Sequence, residues 1–574
     1  MSLLEIIKTA GLGSTSSTLF LSATIIFVGL YALYRWLLPK PLPGIPFDPE
    51  SAKSLWGDIP DLQRDPEGLN KWVGKHLEKL RVPLCQALMG PFSKPIVLLA
   101  DFGEARDILV GRNDFDRSSY IIDRFPLFGN FHLRMKSDDA WRLSRGWLQD
   151  LISPNFLNNV AGPAIYAEFL QLIELWEAKA RLAAGKPFNV IKDVKFASID
   201  VMLAFMFGAD FPDTALRTQA QHLAQLDQSK LSLGHHDEVT FPWARMHPFV
   251  EQVNEVGDLI MGIYATLWNP KLVSWWVRNV SRHRTFFASK DEFISRRIQQ
   301  STQRVNKDEV KTGLDHMVMR EVRAAQKAGR QPVFGRQIMI DEVFGELIAG
   351  EHTTSAALVW TLKFLTDYPG VQAKVRHELH AVHSRAAKEN RLPSIAEIIA
   401  AKVPYLDAVI EETLRLRAAF IIPRDASRDT VLFGHRIPKG TTVLLVAQGP
   451  DFSSPSFSVE NAERYLISKA EPQQFPGNGD KDLRVFDPQR WLVRKDNGEV
   501  SFDGASRPQL GFGLGPRACW GRRLALLEMR IAISMLVWKF DYLATPKELS
   551  GHVGVYDISY KAIQGYVRLK VREV

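Results

Sequence analysis

The sequence predicts a mainly α-helical chain with a small β portion, preceded by a single N-terminal transmembrane helix. Three observations lead there. No charged residue lies between Lys8 and Arg35. Beyond Phe47 the apolar spacing is mostly helical, with the clearest strand signal confined to Asp429–Ala447. Finally, 46% hydrophobic and 24% charged residues over 574 positions is an ordinary globular composition, which sets aside disordered, collagenous and coiled-coil architectures.

Taken in order, residues 1–38 form the expected membrane anchor. Leu19-Phe20-Leu21 and Ile25 to Leu30 build its apolar half, and Tyr31, Tyr34 and Trp36 form an aromatic belt closed by Arg35 and Lys40. The exit is a stiff Pro-rich linker, residues 39–47, unlike the small-residue site of a cleaved signal. Residues 48–574 form one catalytic domain. A long helix runs from Ile338 to about Asp367, stopped by Pro369-Gly370, with an expected weak point at Ala349-Gly350 and Thr353-Thr354-Ser355. Pro404 to Arg417 is a second helix. Asp429 to Ala447 reads as a hairpin turned near Phe433-Gly434-His435, and Asp451 to Asp482 as a polar surface loop. An amphipathic helix follows Cys519 to about Phe540.

Two cysteines, Cys85 and Cys519, make neither a disulfide framework nor a structural zinc site, and place the bulk of the chain in a reducing compartment. A net charge of +8, from 72 basic and 64 acidic residues, suits a membrane surface or an acidic protein better than nucleic acid. His377, His380 and His383 read as a solvated helix face, and no metalloprotease or phosphate-loop motif occurs. The segment Phe512-Gly513-Leu514-Gly515-Pro516-Arg517-Ala518-Cys519-Trp520-Gly521 carries the chemistry. Its glycines let backbone approach something flat and bulky. Cys519 is expected to open a helix, with the macrodipole and Arg517 favouring thiolate, which suits an axial iron ligand. Cys85 reads as buried core.

This segment resembles the haem-binding loop of the cytochrome P-450 haem-thiolate monooxygenases, matching Phe512, Gly515, Arg517, Cys519 and Gly521. Further motifs follow in the family's order. Glu412-Thr413-Leu414-Arg415 resembles the pair that locks to a later arginine, here Arg490, with Gln489 standing where an acid is commoner. Trp141 and Arg145 resemble the Trp-x-x-x-Arg pair that reaches a haem propionate, and Pro423-Arg424 a second propionate contact. Ala349-Gly350-Glu351-His352-Thr353-Thr354 resembles the oxygen-activation motif, with Thr353 in the threonine position. His352 replaces the usual acid and Glu351 stands one residue early.

The resemblance implies the P-450 fold and a haem b bound through Cys519, with Phe512, Gly515, Arg517, Trp141, Arg145 and Arg424 around the cofactor. It implies Glu412, Arg415 and Arg490 as a structural triad, and Thr353 with His352 or Glu351 as the proton machinery. It further implies a lipophilic substrate and a separate NADPH–cytochrome P-450 reductase, with cytochrome b5 as a second donor, because too few residues follow Cys519 for a flavin domain. Arg517, Arg522 and Arg523 form the expected docking patch. The expected location is the endoplasmic reticulum membrane, single-pass, with the domain in the cytosol. The long Asp451–Asp482 loop and the anchor look like filamentous-fungal members of natural-product pathways. Phe344, Ile348, Phe420, Ile421 and Tyr556 to Ile558 are the expected pocket residues. The segment from Trp268 to Val277 either dips into the membrane or packs in the core. Two rivals remain at this stage: a reductase-independent isomerase or dehydratase of the same haem-thiolate type, and a non-catalytic membrane-surface haem- or lipid-binding protein.

Overall fold

The computed structural model describes residues 15–65, 68–208, 211, 214–227, 231–265, 269–417, 421–447, 449–455, 457, 482–556 and 559–573. Most of the expected Asp451–Asp482 loop, together with Trp268, Phe420, Asp557 and Ile558, lies outside the described residues.

Eight helices position the site: α1 (Thr15–Leu37), α2 (Asp139–Leu148), α3 (Ile191–Phe207), α4 (Pro248–Ala265), α5 (Pro270–Asn279), α6 (Gln337–Asp367), α7 (Pro404–Arg417) and α8 (Arg522–Lys539). Among the described residues, Leu19–Leu37 of α1 is the one stretch long and apolar enough to cross a membrane, with mean hydropathy 1.5 and its side chains exposed. Its end docks on the domain: the Tyr34 hydroxyl donates to Lys53 O at 2.6 Å, and Trp36 meets the Phe92 ring edge-on at 5.2 Å.

α6 crosses the centre of the domain. It is buried on nearly every face, which is why its apolar pattern is broad rather than a narrow stripe. Its hydroxyls are satisfied by folding back one turn: Thr361 and Thr366 in the core, and Thr353 outside it, each donate to the carbonyl four residues earlier at 2.9 Å. The expected weak point does not interrupt the helix, which is α-helical throughout. Gly350 serves another purpose. A Cβ there would lie 2.5 Å from Met202 Sδ, so glycine lets α3, buried over most of its length, pack against α6.

The β portion centres on a five-stranded sheet built from β1 (Leu84–Ala87), β2 (Ile96–Leu99), β3 (Phe115–Arg117), β4 (Ile421–Ala426) and β5 (Thr442–Val446), in the order β1-β2-β5-β4-β3. Only the β2–β5 pair is parallel. The expected hairpin is shorter than Asp429–Ala447. It pairs Thr430–Leu432 with His435–Ile437 through Phe433 and Gly434, both at positive φ, the geometry of a tight two-residue turn. Thr442–Val446 leaves the hairpin and joins the larger sheet, because its buried Val443, Leu444 and Leu445 need that core.

Candidate active site

The cysteine loop is shaped by backbone contacts. Gly515 has φ +68°, and a Cβ there would lie 2.0 Å from Leu109 O. The Cys519 N–H donates to Phe512 O at 2.7 Å, closing the loop. Contrary to expectation, Cys519 does not open the helix, which begins three residues later at Arg522. Cys519 is exposed and lines a cavity. Burial pushes its thiol up to about 11, against the pull of the Gly521 and Arg522 N–H groups and of Arg145 rather than Arg517. Cys85, by contrast, is core, its thiol also raised by burial.

A buried frame holds the loop from α7. Glu412 accepts from Arg415 Nε and Nη2 at 2.8 and 2.7 Å, from the Asp487 N–H at 3.0 Å and from Trp491 Nε1 at 2.9 Å. Arg490 Nε lies 3.5 Å from the same carboxylate, and its Nη2 donates to Asp482 O. The next link is Ser506, whose hydroxyl contacts Arg490 O at 3.2 Å. Glu411 then accepts from Gln509 Nε2 at 3.0 Å, while Gln509 Oε1 accepts the Gly511 N–H at 2.8 Å. The expected triad is thus assembled, and hydrogen bonds from α7 reach the residue before Phe512.

The cavity has a volume of about 280 Å³. Cys519, Phe512 and Gly513 form one wall; Ala349, Gly350, Thr353 and Thr354 of α6 form another. Arginines crowd one edge. Arg117 and Arg424 are direct cross-strand partners on β3 and β4, an arrangement of like charges that costs stability unless an anion lies between them. Arg517 joins them. Its Nη2 donates to Met135 O at 2.8 Å, while its Nε and Nη1 and the Nε of Arg117 are buried without a hydrogen-bond partner. Burial, then mutual repulsion, lowers Arg117 to about 9, Arg517 to about 9 and Arg424 to about 10. Asp116 is a carboxylate that partly offsets all three.

The other expected site residues take up varied positions. Trp141 and Arg145 do not line the cavity. Trp141 lies under the Arg517 guanidinium at 4.5 Å and so backs it from behind, and Arg145 acts at longer range on Glu346 and Cys519. Arg517 turns inward, leaving Arg522 and Arg523 on the surface. Of the pocket candidates, Ile421 lines the cavity, whereas Phe344 and Ile348 are core and Tyr556 stacks on Tyr560 at 4.1 Å. His352 and Glu351 are both buried and neither lines the cavity. Lys561 Nζ donates to His352 Nδ1 at 2.9 Å, and His352 Nε2 lies 3.2 Å from Glu351 Oε2. Burial, then Lys561, holds the imidazole well below its ordinary range. A Cβ on Gly257 of α4 would fall 2.3 Å from His352 Nε2, so glycine makes room for this ring.

Sequence inspection missed Arg117, His132, Glu346 and Glu528, all of which line the cavity. Glu346 was detectable in principle, because it precedes Thr353 by seven residues and so shares its helix face. Glu528 accepts from Ser198 Oγ at 3.0 Å, and burial raises it to about 8.

A thiol-bearing loop facing a threonine-bearing helix, with cationic side chains along one edge, defines a haem-thiolate enzyme. The chain belongs to the cytochrome P-450 family, whose model matches residues 55–451 and 482–550. It is 55% identical over 574 residues to the cytochrome P-450 monooxygenase xilC of Penicillium crustosum, covering 99% of each chain. It is 32% identical over 580 residues to the cytochrome P-450 monooxygenase TRI13 of Fusarium sporotrichioides, covering 95% of this chain and 97% of that one. A crystal structure of a cytochrome P-450 superposes with a TM-score of 0.66 at 17% identity, covering 93% of this chain and all of the other, and bears out the predicted fold. The residues present fit a haem: the orphaned guanidinium N–H groups along the edge match its two carboxylates, and Cys519, which lines the same cavity, would offer its sulfur to the iron.

Proposed function

We propose that this monooxygenase inserts one oxygen atom from dioxygen into a lipophilic small molecule of a natural-product pathway, using electrons from NADPH through a separate reductase. One observation carries the reading: the Cys519 thiol and the Thr353 side chain line the same apolar cavity beside an arginine edge. The natural-product assignment is supported by the likeness to xilC and TRI13.

When bound, haem supplies the dioxygen chemistry. Arg117, Arg424 and Arg517 would hold its carboxylates, with Arg145 nearby, and Cys519 would ligate its iron as thiolate, the metal bond offsetting the cost of ionising a buried thiol. Phe512 and Gly515 shape the loop beneath it. Thr353 Oγ1 donates to Ala349 O, and a half-turn of its side chain would present that hydroxyl to the cavity. Lys561, His352 and Glu351 form a polar path from the partly exposed Lys561 ammonium to the back of the same helix turn. That placement supports His352 and Glu351 as proton carriers feeding Thr353 from behind.

Residues 1–38 serve as the anchor, 39–47 as the linker and 48–574 as the catalytic domain, with the endoplasmic reticulum membrane as the site and the cytosol as the domain's side. Leu272, Trp275 and Trp276 on α5 are exposed, which favours a membrane contact over core packing for this surface. Arg522 and Arg523 offer cationic contacts for an acidic flavoprotein, and cytochrome b5 would compete for them. The test is co-expression with a P-450 reductase in microsomes, followed by mass analysis of lipophilic precursors. NADPH-dependent gain of one oxygen supports the assignment. Product formed equally well without NADPH refutes it.

A further inference from the structure

The cavity carries a polar group that the oxygen chemistry does not use. Glu342 and Glu346 lie one turn apart on α6, and His132 faces both. Glu342 is fully occupied: its Oε1 meets His132 Nδ1 and its Oε2 accepts the His132 backbone N–H at 3.1 Å. It therefore fixes the histidine. Glu346 is different. It is 7% exposed, it lines the cavity, and its Oε1 is buried with no hydrogen-bond partner, His132 Nδ1 lying 3.8 Å away. A buried acceptor left unmatched costs about 1–3 kcal/mol. The surrounding wall is apolar, formed by Ile121, Phe125, Phe131 and Met202.

We propose that Glu346, braced by His132, is the specificity determinant of the cavity and accepts a hydrogen bond from a hydroxyl group of an otherwise apolar substrate. The cluster's ligand atoms lie within 4.8 Å of one another, a spacing that would also fit a divalent cation. The local field argues against a cation, since His132 lies within reach of Arg145, Arg117 and Arg517. The same field disfavours a substrate ammonium. Burial raises Glu346 well above the ordinary glutamate range, against the pull of His132, which favours its neutral form and suits it to a neutral partner. Seven helical residues separate Glu346 from Thr353, or about 10 Å along the axis.

The inference rests on the haem-thiolate reading of the cavity, and its test separates the two. The holoenzyme is titrated with 1-alkylimidazoles of graded chain length and with their ω-hydroxy and ω-amino counterparts. The imidazole binds iron, and affinity is read from the Soret shift. At one chain length the terminal hydroxyl should tighten binding about tenfold over the plain alkyl compound, the equivalent of about 1.4 kcal/mol. That ratio should fall to about one in Glu346→Leu and persist in part in Glu346→Gln, which keeps an acceptor. A ratio near one at every length in the wild type, a full ratio surviving in Glu346→Leu, or a larger gain from the amine would each overturn the proposal. A holoenzyme in which no imidazole shifts the Soret band would instead overturn the haem-thiolate reading on which it rests.

Discussion

Replacing Glu412 with alanine removes the acceptor on which the cysteine loop is hung. The carboxylate receives four hydrogen bonds, two from Arg415 and one each from Asp487 and Trp491. The side chains of Glu412 and Arg415 are 0% and 2% exposed, so water cannot replace the lost partner without opening the core. Breaking a buried ion pair on one side costs about 3–5 kcal/mol, because the surviving charge stays desolvated. An orphaned indole N–H and backbone N–H add to this, though not additively. The total, about 4–6 kcal/mol, approaches the whole stability of many folded domains. Glu412→Ala should therefore accumulate without haem or fail to accumulate, as measured by haem content per polypeptide and by urea unfolding. Glu412→Gln keeps an acceptor and should lose about half as much. Glu412→Ala combined with Arg415→Met, which removes the stranded charge, should recover part of the loss. A Glu412→Ala protein that is fully loaded with haem and within about 1 kcal/mol of wild type would refute the reasoning and reduce the cluster to surface-type pairing.

Four further outcomes are expected. Cys519→Ser should abolish the red-shifted Soret band of the reduced carbon monoxide complex, whereas Cys85→Ser, in the core, should keep it; the reverse pattern would overturn the ligand assignment. Thr353→Ala should continue to consume NADPH while product falls and peroxide rises, and His352→Ala should show the same uncoupling, with His352→Asp recovering part of the product; full coupling in Thr353→Ala would favour the isomerase reading. Glu528 is held at about 8 by burial, above the ordinary 4.5 of a glutamate, so the native state keeps a proton that the unfolded chain releases, and stability falls as pH rises from about 4.5 to about 8. Glu528→Gln can still accept from Ser198 and should flatten part of that fall in unfolding midpoints taken across this range; unchanged slopes would count against a buried, protonated Glu528. Deleting residues 1–38 should release the domain from carbonate-resistant membrane association, leaving peripheral binding through the α5 surface, and persistent insertion would place the anchor elsewhere.

What the sequence made legible was local. The cysteine loop, the Glu412–Arg415 pair and the Trp141 helix are contiguous motifs, which the family resemblance picks out from short stretches of chain. The cavity's remaining polar groups were hidden because distant segments supply them. Arg117 becomes meaningful only when β3 pairs with β4 and sets it opposite Arg424. His132 looks like any loop histidine until α6 presents Glu342 and Glu346 to it. The direction of His352 was recoverable, since consecutive helical residues diverge by about 100° and cannot share the face of Thr353. What no spacing rule reveals is that Gly257 leaves room for the imidazole and that Lys561 caps it. The helix start after Cys519 was placed too early because Cys519 bonds back to Phe512 instead of entering the helical ladder.

The arginine edge and the Glu412 frame are two halves of one energetic arrangement. Three guanidiniums whose proton affinity is lowered by burial and by one another oppose folding in proportion to how closely they are held. A dianionic ligand edge between them reverses the sign of each interaction, so binding contributes directly to the stability of the native state. The loop that carries Cys519 must be kept in place while that ligand enters, and its own thiol gives no help because burial disfavours the charged form. The holding force comes from Glu412, Glu411 and Gln509, all outside the cavity. Damage to that frame should thus appear first as lost haem and only then as lost structure, because the ligand's contribution to stability disappears with the loop that binds it.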